Sequence, residues 1–373
     1  VSATTANPTG SGQPETWIAL LGQLDAPTDG VEDYCIFLAR ALAVDGVDLQ
    51  QKRVQWTEKG WIAALRQLSR ECAAWRCKWV LLQYTALSWS RRGFPIAALI
   101  VMTILRRGGT RVAVVFHEPC RQGGSRWVDR VRGACQEHVI HKLYRRAAKS
   151  IFTVLLDTIA WLPKERKKAA FVPIGANIPE PVNCRRTPPL PGEQKTVIVF
   201  GVTGAPKMTR EVADIAGIMQ EASKTLKKLR LVVLGRGAME AREPLANALG
   251  ACDVELVVRG VLPAGEIASE LERADALLFV RGAVTLRRGS AIAGIACGLP
   301  IVGYRPETIG ALLEQAGVEW SPGQDRAALA RGLVRVLSDP QHWMELHQRN
   351  LELQKNYFSW NRIAERYRMI LTA

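Results

Sequence analysis

Residues 285–304 read TLRRGSAIAGIACGLPIVGY. Arg287 and Arg288 stand directly before Gly289, Ser290 and Ala291, which open a helix of small residues. The first N–H groups of a helix lack intrahelical acceptors, and its dipole is positive there. Two arginines beside such a helix start are suited to a phosphate or diphosphate. The same residues also make an ordinary capped helix with two solvated arginines.

Four more loops carry residues that can do chemistry. In VVFHEPC, His117 follows a run of apolar residues and is expected to face a cleft, where it can donate to a sugar hydroxyl or a phosphate. GQLDAPTDGVED offers Gly22 and Gly30, where backbone can approach a ligand closely, and Asp29, placed to cap the next helix. FGVTGAPKMTREV sets Lys207 before a helix and Arg210 just inside it, a place for a diphosphate. VLGRGAMEARE puts Arg236 between two glycines after a strand. It lacks GxGxxG and is no dinucleotide fingerprint, but a turn of this kind can approach a base or ribose. Each loop also reads as an exposed connection. No GxxxxGK[ST], HExxH or GxSxG occurs, and no metal spacing or nucleic-acid motif is present.

These loops need a scaffold that places strand ends together. Short apolar runs alternate with amphipathic stretches along the chain: TWIALLGQL, then DGVEDYCIFLARALAVDG; KWVLLQY, then FPIAALIVMTILRRGG; RVAVVFHEP, then SRWVDRVRGACQEHVIHKLYRRA. The alternation restarts at TVIVFGV, after a Pro-rich stretch with Pro179, Pro181, Pro188, Pro189 and Pro191. The expectation is an α/β chain of two doubly wound Rossmann-like domains: 16–177, a linker at 178–194, and 195–356, with a closing helix at 357–373. Ligands bind outside the carboxyl ends of strands in such sheets.

Composition narrows the class. The 373 residues carry a net charge of +15, a field that draws nucleic acid, acidic lipid surfaces or phosphorylated ligands. The eight cysteines form no CxxC pair, which favours free thiols in a reducing cytoplasm. The polar segment 1–15 is expected to be disordered and lacks the pattern of a signal peptide. Phe94–Leu105 is too short to span a bilayer. Trp61, Trp75, Trp79 and Trp89, with Arg91 and Arg92, form either core or an acceptor or membrane face.

The order of these stretches resembles the GT-B glycosyltransferases, specifically the retaining family 4, from about Trp17 to the end. The carriers are DGVEDYCIFLARAL, VVFHEP, FVPIGANIPE, VFGVTGAPK, IACGLPIVG and YFSWNRIAERYRMIL. The resemblance implies a nucleotide-sugar donor, a polysaccharide, glycolipid or lipid-linked acceptor, and no catalytic metal or other cofactor. The loops read above then give the expected donor contacts: Gly30, Lys207, Arg210, Arg236, Arg287, Arg288, Gly289, Ser290, Ala291 and Glu307. Acceptor contacts fall to Asp29, Glu32, Glu118 and Tyr84, and the catalytic part to His117. The protein is expected in the cytoplasm, at the inner face of an anionic membrane, without specific nucleic acid. The family's E-x7-E acids fall here on Thr285 and Ala293, and its GRL arginine on Val202. A second reading is therefore a silent GT-B protein that binds a partner or nucleotide sugar without turnover.

Overall fold

The computed structural model describes residues 14–23, 29–181, 187–323 and 325–372. Two compact units result. Unit 1 runs to Phe152 and adds Leu156–Phe171 and the chain from Ala364; unit 2 holds Thr153–Leu155 and Val172–Ile363.

Unit 1 begins with β1 (Glu15–Leu21), α1 (Gly30–Val44) and β2 (Val47–Arg53). A short α2 (Trp56–Lys59) and α3 (Trp61–Glu71) lead to β3 (Trp79–Tyr84). Then come α4 (Ala97–Arg107), β4 (Arg111–Phe116), α5 (Trp127–Arg146), β5 (Lys149–Phe152) and β6 (Ala169–Phe171). The strands form one parallel sheet ordered β2-β1-β3-β4-β5-β6. Inner strands such as β3 are buried along their whole length, as helices on both faces of a parallel sheet require. Glu15, expected within a disordered segment, already pairs with Val47.

Unit 2 repeats the plan. β7 (Lys195–Phe200), α6 (Met208–Thr225), β8 (Leu229–Leu234), α7 (Ala238–Leu249) and β9 (Val254–Gly260) build one half. The other half is α8 (Ala264–Arg273), β10 (Ala276–Ala283), α9 (Gly289–Ala296), β11 (Ile301–Tyr304), α10 (Ala311–Glu314) and β12 (Val318–Ser321). Helices α11 (Arg326–Ser338), α12 (Pro340–Leu353) and α13 (Trp360–Thr372) follow. The parallel order is β12-β11-β10-β7-β8-β9. Its core packs Val197, Leu231 and Leu278 against Ile215, Met219 and Leu333.

The boundary falls between Phe171 and Val172, whereas the sequence suggested residue 177. Val172, Ala176 and Ile178 are buried, and the Trp360 indole donates to the Ala176 carbonyl, so this stretch packs into unit 2 instead of starting a linker. Residues 182–186 of the expected linker lie outside the described residues. The closing helix is divided: from Ala364 it belongs to unit 1, where the Tyr367 and Tyr34 hydroxyls meet at 2.8 Å and the Trp79 indole donates to the Leu371 carbonyl. No described helix is long and apolar enough to cross a membrane.

Candidate functional site

In each sheet the chain reverses its direction of growth beside the first strand, which opens a crevice at the carboxyl ends there. In unit 2 this point lies between β7 and β10. Three loops converge on it. Gly201 leaves β7 with φ +85°, and a Cβ there would stand 2.6 Å from Nη1 of Arg281, at the end of β10. The Arg236 carbonyl, in the turn after β8, accepts from Val202 N–H at 2.9 Å. Gly237 must be a glycine: its φ is +74°, and a Cβ would meet the Val202 carbonyl at 2.2 Å. The β7 and β8 loops are thus locked backbone to backbone under the Arg281 side chain.

The electrostatics of this point are one-sided. Burial pushes the Arg281 guanidinium below its ordinary pKa, and Arg288 and Arg236 push the same way; only Glu211 opposes them. Arg281 Nε is buried with no hydrogen-bond partner among the described residues. Glu211, itself buried, is spent on Thr203 N–H at 2.7 Å and fixes the loop. Guanidiniums of like charge around an unpartnered, desolvated N–H can accept an anion.

Helix α9 completes the cluster. Arg288 is its N-cap in extended conformation, and its side chain makes no capping hydrogen bond to the helix start. A Cβ on Gly289 would meet nothing within 4 Å, so this end is open. Beyond Ser290 the helix enters the core. Ala291 is buried and its N–H bonds the Arg288 carbonyl, so the expected donor contact at Ala291 is replaced by core packing. Ala293 is equally buried, at the second acidic position of the family the sequence resembles. Thr285 is half-buried.

The remaining donor candidates are looser. Lys207 is exposed at the N-cap of α6, with no ion pair among the described residues. Arg210 is exposed and pairs weakly with Asp214 at 3.9 Å. Arg287 is exposed, as is Glu307 on the loop after β11, and among the described residues no salt bridge involves Glu307. Gly30 belongs to unit 1, at the exposed start of α1.

In unit 1 the corresponding crevice lies between β1 and β3. It is closed by backbone: Gln23 N–H bonds the Ser88 carbonyl, and a Cβ on Gly22 would stand 2.2 Å from that oxygen. Asp29 caps α1 through Val31 and Glu32 N–H. It also pairs with Arg53, as Glu32 does at 3.2 Å, while Arg53 donates to the Gly22 carbonyl. Two of the three expected acceptor carboxylates, Asp29 and Glu32, are therefore tied to Arg53 of β2. Tyr84 is wholly buried, its hydroxyl without a partner among the described residues, because it is the last residue of a strand buried on both faces. That corrects its expected place as an acceptor contact. Glu118 is half-buried, with Oε2 unpartnered.

His117 stands just beyond β4, half-buried, its Nε2 2.8 Å from Gln83 Oε1 and its ring edge-on to Tyr34. Burial pushes its pKa down to about 4, against a smaller pull from Asp29, so the imidazole is neutral near pH 7. It can hydrogen-bond a hydroxyl but brings no charge to a phosphate.

Sequence reading missed Arg281, Glu211, Gln83 and Arg53. Arg281 had a usable signal: it is the first charge after the apolar run ALLFV, and hence a strand-end residue. Among the tryptophans, Trp75, Trp79 and Trp89 are buried and Trp61 stacks on Trp56 at 4.7 Å, so the first three belong to the core and not to a surface. Among the described residues no cluster of His, Cys, Asp or Glu is placed to hold a metal ion.

The fold is that of the GT-B proteins. The chain is similar to HepE of Anabaena, solved with UDP and glucose (TM-score 0.64, 11% identity, covering 96% of this chain and 99% of that one). It is similar to sucrose-phosphate synthase of Thermosynechococcus elongatus (0.63, 19%, 96% and 99%). A putative UDP-N-acetylglucosamine 2-epimerase of Listeria monocytogenes is comparably similar (0.63, 12%, 96% and 95%). No protein-family model and no curated protein sequence matches the chain.

Proposed function

We propose that this protein is a retaining glycosyltransferase that takes a hexose from a nucleotide-sugar donor to a polysaccharide, glycolipid or lipid-linked acceptor. The observation that carries this reading is the Arg281, Arg236 and Arg288 cluster at the switch point of unit 2, beside the open start of α9. It matches a diphosphate in charge and position, in a fold that HepE uses with UDP and glucose.

The chemistry follows from charge. As the sugar–oxygen bond of the donor breaks, negative charge grows on the departing diphosphate. Preorganised guanidiniums and the Gly289 and Ser290 N–H groups stabilise that charge without reorganising. The reading needs no metal, since the arginines supply the positive charge. Lys207 and Arg210 flank the same strand end. His117, being neutral, is assigned to a sugar hydroxyl.

The second reading, binding without turnover, rests on Thr285 and buried Ala293 at the two acidic positions of the family it resembles. Thermal shifts with UDP, GDP, ADP and their sugar nucleotides test the site. A ligand at 100 times its Kd stabilises the native state by about 2.7 kcal/mol. A shift with one nucleotide, lost in Arg281→Ala and Arg288→Ala, supports the donor site; no shift with any overturns it. Release of nucleoside diphosphate from the sugar nucleotide that binds separates transferase from silent binder.

A further inference from the structure

We infer that the outer face of α4 and α5 in unit 1 docks on an anionic lipid bilayer, with an arginine pocket between the two helices taking lipid phosphate. Four large apolar side chains are exposed here: Ile96 (56%), Ile100 (47%), Trp127 (72%) and Val131 (52%). They are not scattered. Ile96, Ile100, Thr103 and Arg107 recur at helical spacing and form one strip along α4. Trp127 and Val131 do the same at the start of α5.

The two helices are held side by side. Arg132 of α5 donates to the Arg92 carbonyl and lies over the Phe94 ring, just before α4. Gln136 donates to the Gly93 carbonyl, and Arg146 reaches Thr103 at 3.3 Å. The two helices therefore run side by side in the same direction, each with its own exposed apolar strip. At the far end a cavity of ≈ 350 Å³ opens between the helices, lined by Thr103, Arg106, Arg107 and Arg146. No carboxylate lines it.

Charge selects the occupant. The stretch 86–107 contains Arg91, Arg92, Arg106 and Arg107 and no acidic residue. On α5, Asp129 is neutralised by Arg132 at 2.7 Å, and Glu137 is half-buried. A protein partner recognising this face would need a matching acidic and apolar groove. A bilayer with anionic headgroups presents both features everywhere: acyl chains for the isoleucines and Trp127, phosphates for the arginines. Exposed apolar residues between arginines also separate this surface from a polyanion site, which needs charge alone.

The test is co-sedimentation of the full chain with vesicles, without nucleotide, so that its failure leaves the donor reading intact. One set is phosphatidylcholine; the other contains about a third phosphatidylglycerol. Binding to the second set at least about tenfold tighter is expected. Ile100→Ser/Trp127→Ser and Arg107→Glu/Arg146→Glu each lower it about tenfold or more, with far-ultraviolet circular dichroism and melting unchanged. Lys224→Glu/Lys227→Glu, an equal charge change on unit 2, leaves it within about twofold. Quenching of tryptophan emission by brominated acyl chains falls in Trp127→Phe. Equal loss in the unit 2 control would mean bulk charge only and would overturn the proposal. So would vesicle binding untouched by both face variants, or no binding to anionic vesicles. Salt-sensitive retention by duplex DNA without vesicle binding, or dimerisation abolished by Ile100→Ser/Trp127→Ser, would assign the face to another occupant.

Discussion

Gly201 lies directly under the guanidinium of Arg281: a Cβ on residue 201 would come within 2.6 Å of Nη1, and the arginine end would have to shift. The same glycine has φ +85°, which an L side chain adopts only under strain. Gly201→Ala is expected to cost about 1–2 kcal/mol of stability from the backbone alone. The guanidinium must also move. Affinity for the bound nucleoside diphosphate should fall about tenfold, or ~1.4 kcal/mol. Melting curves and titration calorimetry on one preparation read both. Unchanged affinity would show that the position of Arg281 does not matter to the ligand.

Arg281 should also separate binding from stability. Its charged form is disfavoured in the fold by burial and by Arg288 and Arg236. An apolar replacement of similar length relieves that repulsion. Arg281→Met is therefore expected to leave the free protein as stable as before or more so, by up to about 1 kcal/mol. Nucleotide binding should weaken by tenfold or more. Chemical denaturation with and without ligand checks the pair of effects; destabilisation of the free protein would mean that Arg281 serves the fold.

The inner strands were legible because burial on both faces writes continuous apolar runs, as in WVLLQY and ALLFV. Two edge strands were not. β2 reads VDLQQKR and alternates, and β12 is only VEWS, since an edge needs one apolar face at most. Helix starts such as that of α9 were visible from small residues after charge. What the sequence could not show is which charged residues turn toward one another. Asp29 and Glu32 look like acceptor contacts until Arg53, from β2, is seen to pair with both. Arg281 joins Arg236 and Arg288 only because β10 lies beside β7.

The Asp29 result carries a test of its own. As helix cap and ion-pair partner of Arg53, it should matter to stability first. Asp29→Ala is expected to cost about 1–2 kcal/mol, and Asp29→Ser, which restores the cap alone, about half of that. Melting temperatures of the two variants decide it. Equal losses would place the whole contribution in the ion pair.

The C-terminal helix should be an obligate part of unit 1. Tyr367 and Tyr34 share a buried hydrogen bond at 2.8 Å, and both are fully covered by neighbours. Tyr367→Phe is expected to cost about 1 kcal/mol, the net value of one buried hydrogen bond. Removing the chain from Ala364 exposes Tyr34 and Trp79 together and should unfold unit 1. Limited proteolysis of the truncated chain should then cleave within unit 1 while fragments of unit 2 persist.

Stability should fall on mild acidification, and His117 should account for part of it. Burial lowers its pKa to about 4 in the folded chain, against an ordinary value near 6.5. Between those values the unfolded chain binds the proton and the folded one does not, so stability rises with pH across the window. His117 contributes fully above pH 6.5, and about 2 kcal/mol of that is lost by pH 5. His347 is lowered too, by burial, though its bond to the Gly298 carbonyl pulls the other way. Its slope has the same sign and adds to that of His117. Urea midpoints at pH 5, 6 and 7 should therefore converge in His117→Gln and converge further in the double variant with His347→Gln. A slope in His117→Gln as steep as that of the unmodified chain would mean that His117 takes its proton in the folded state, and that a cationic role toward phosphate must be restored to it.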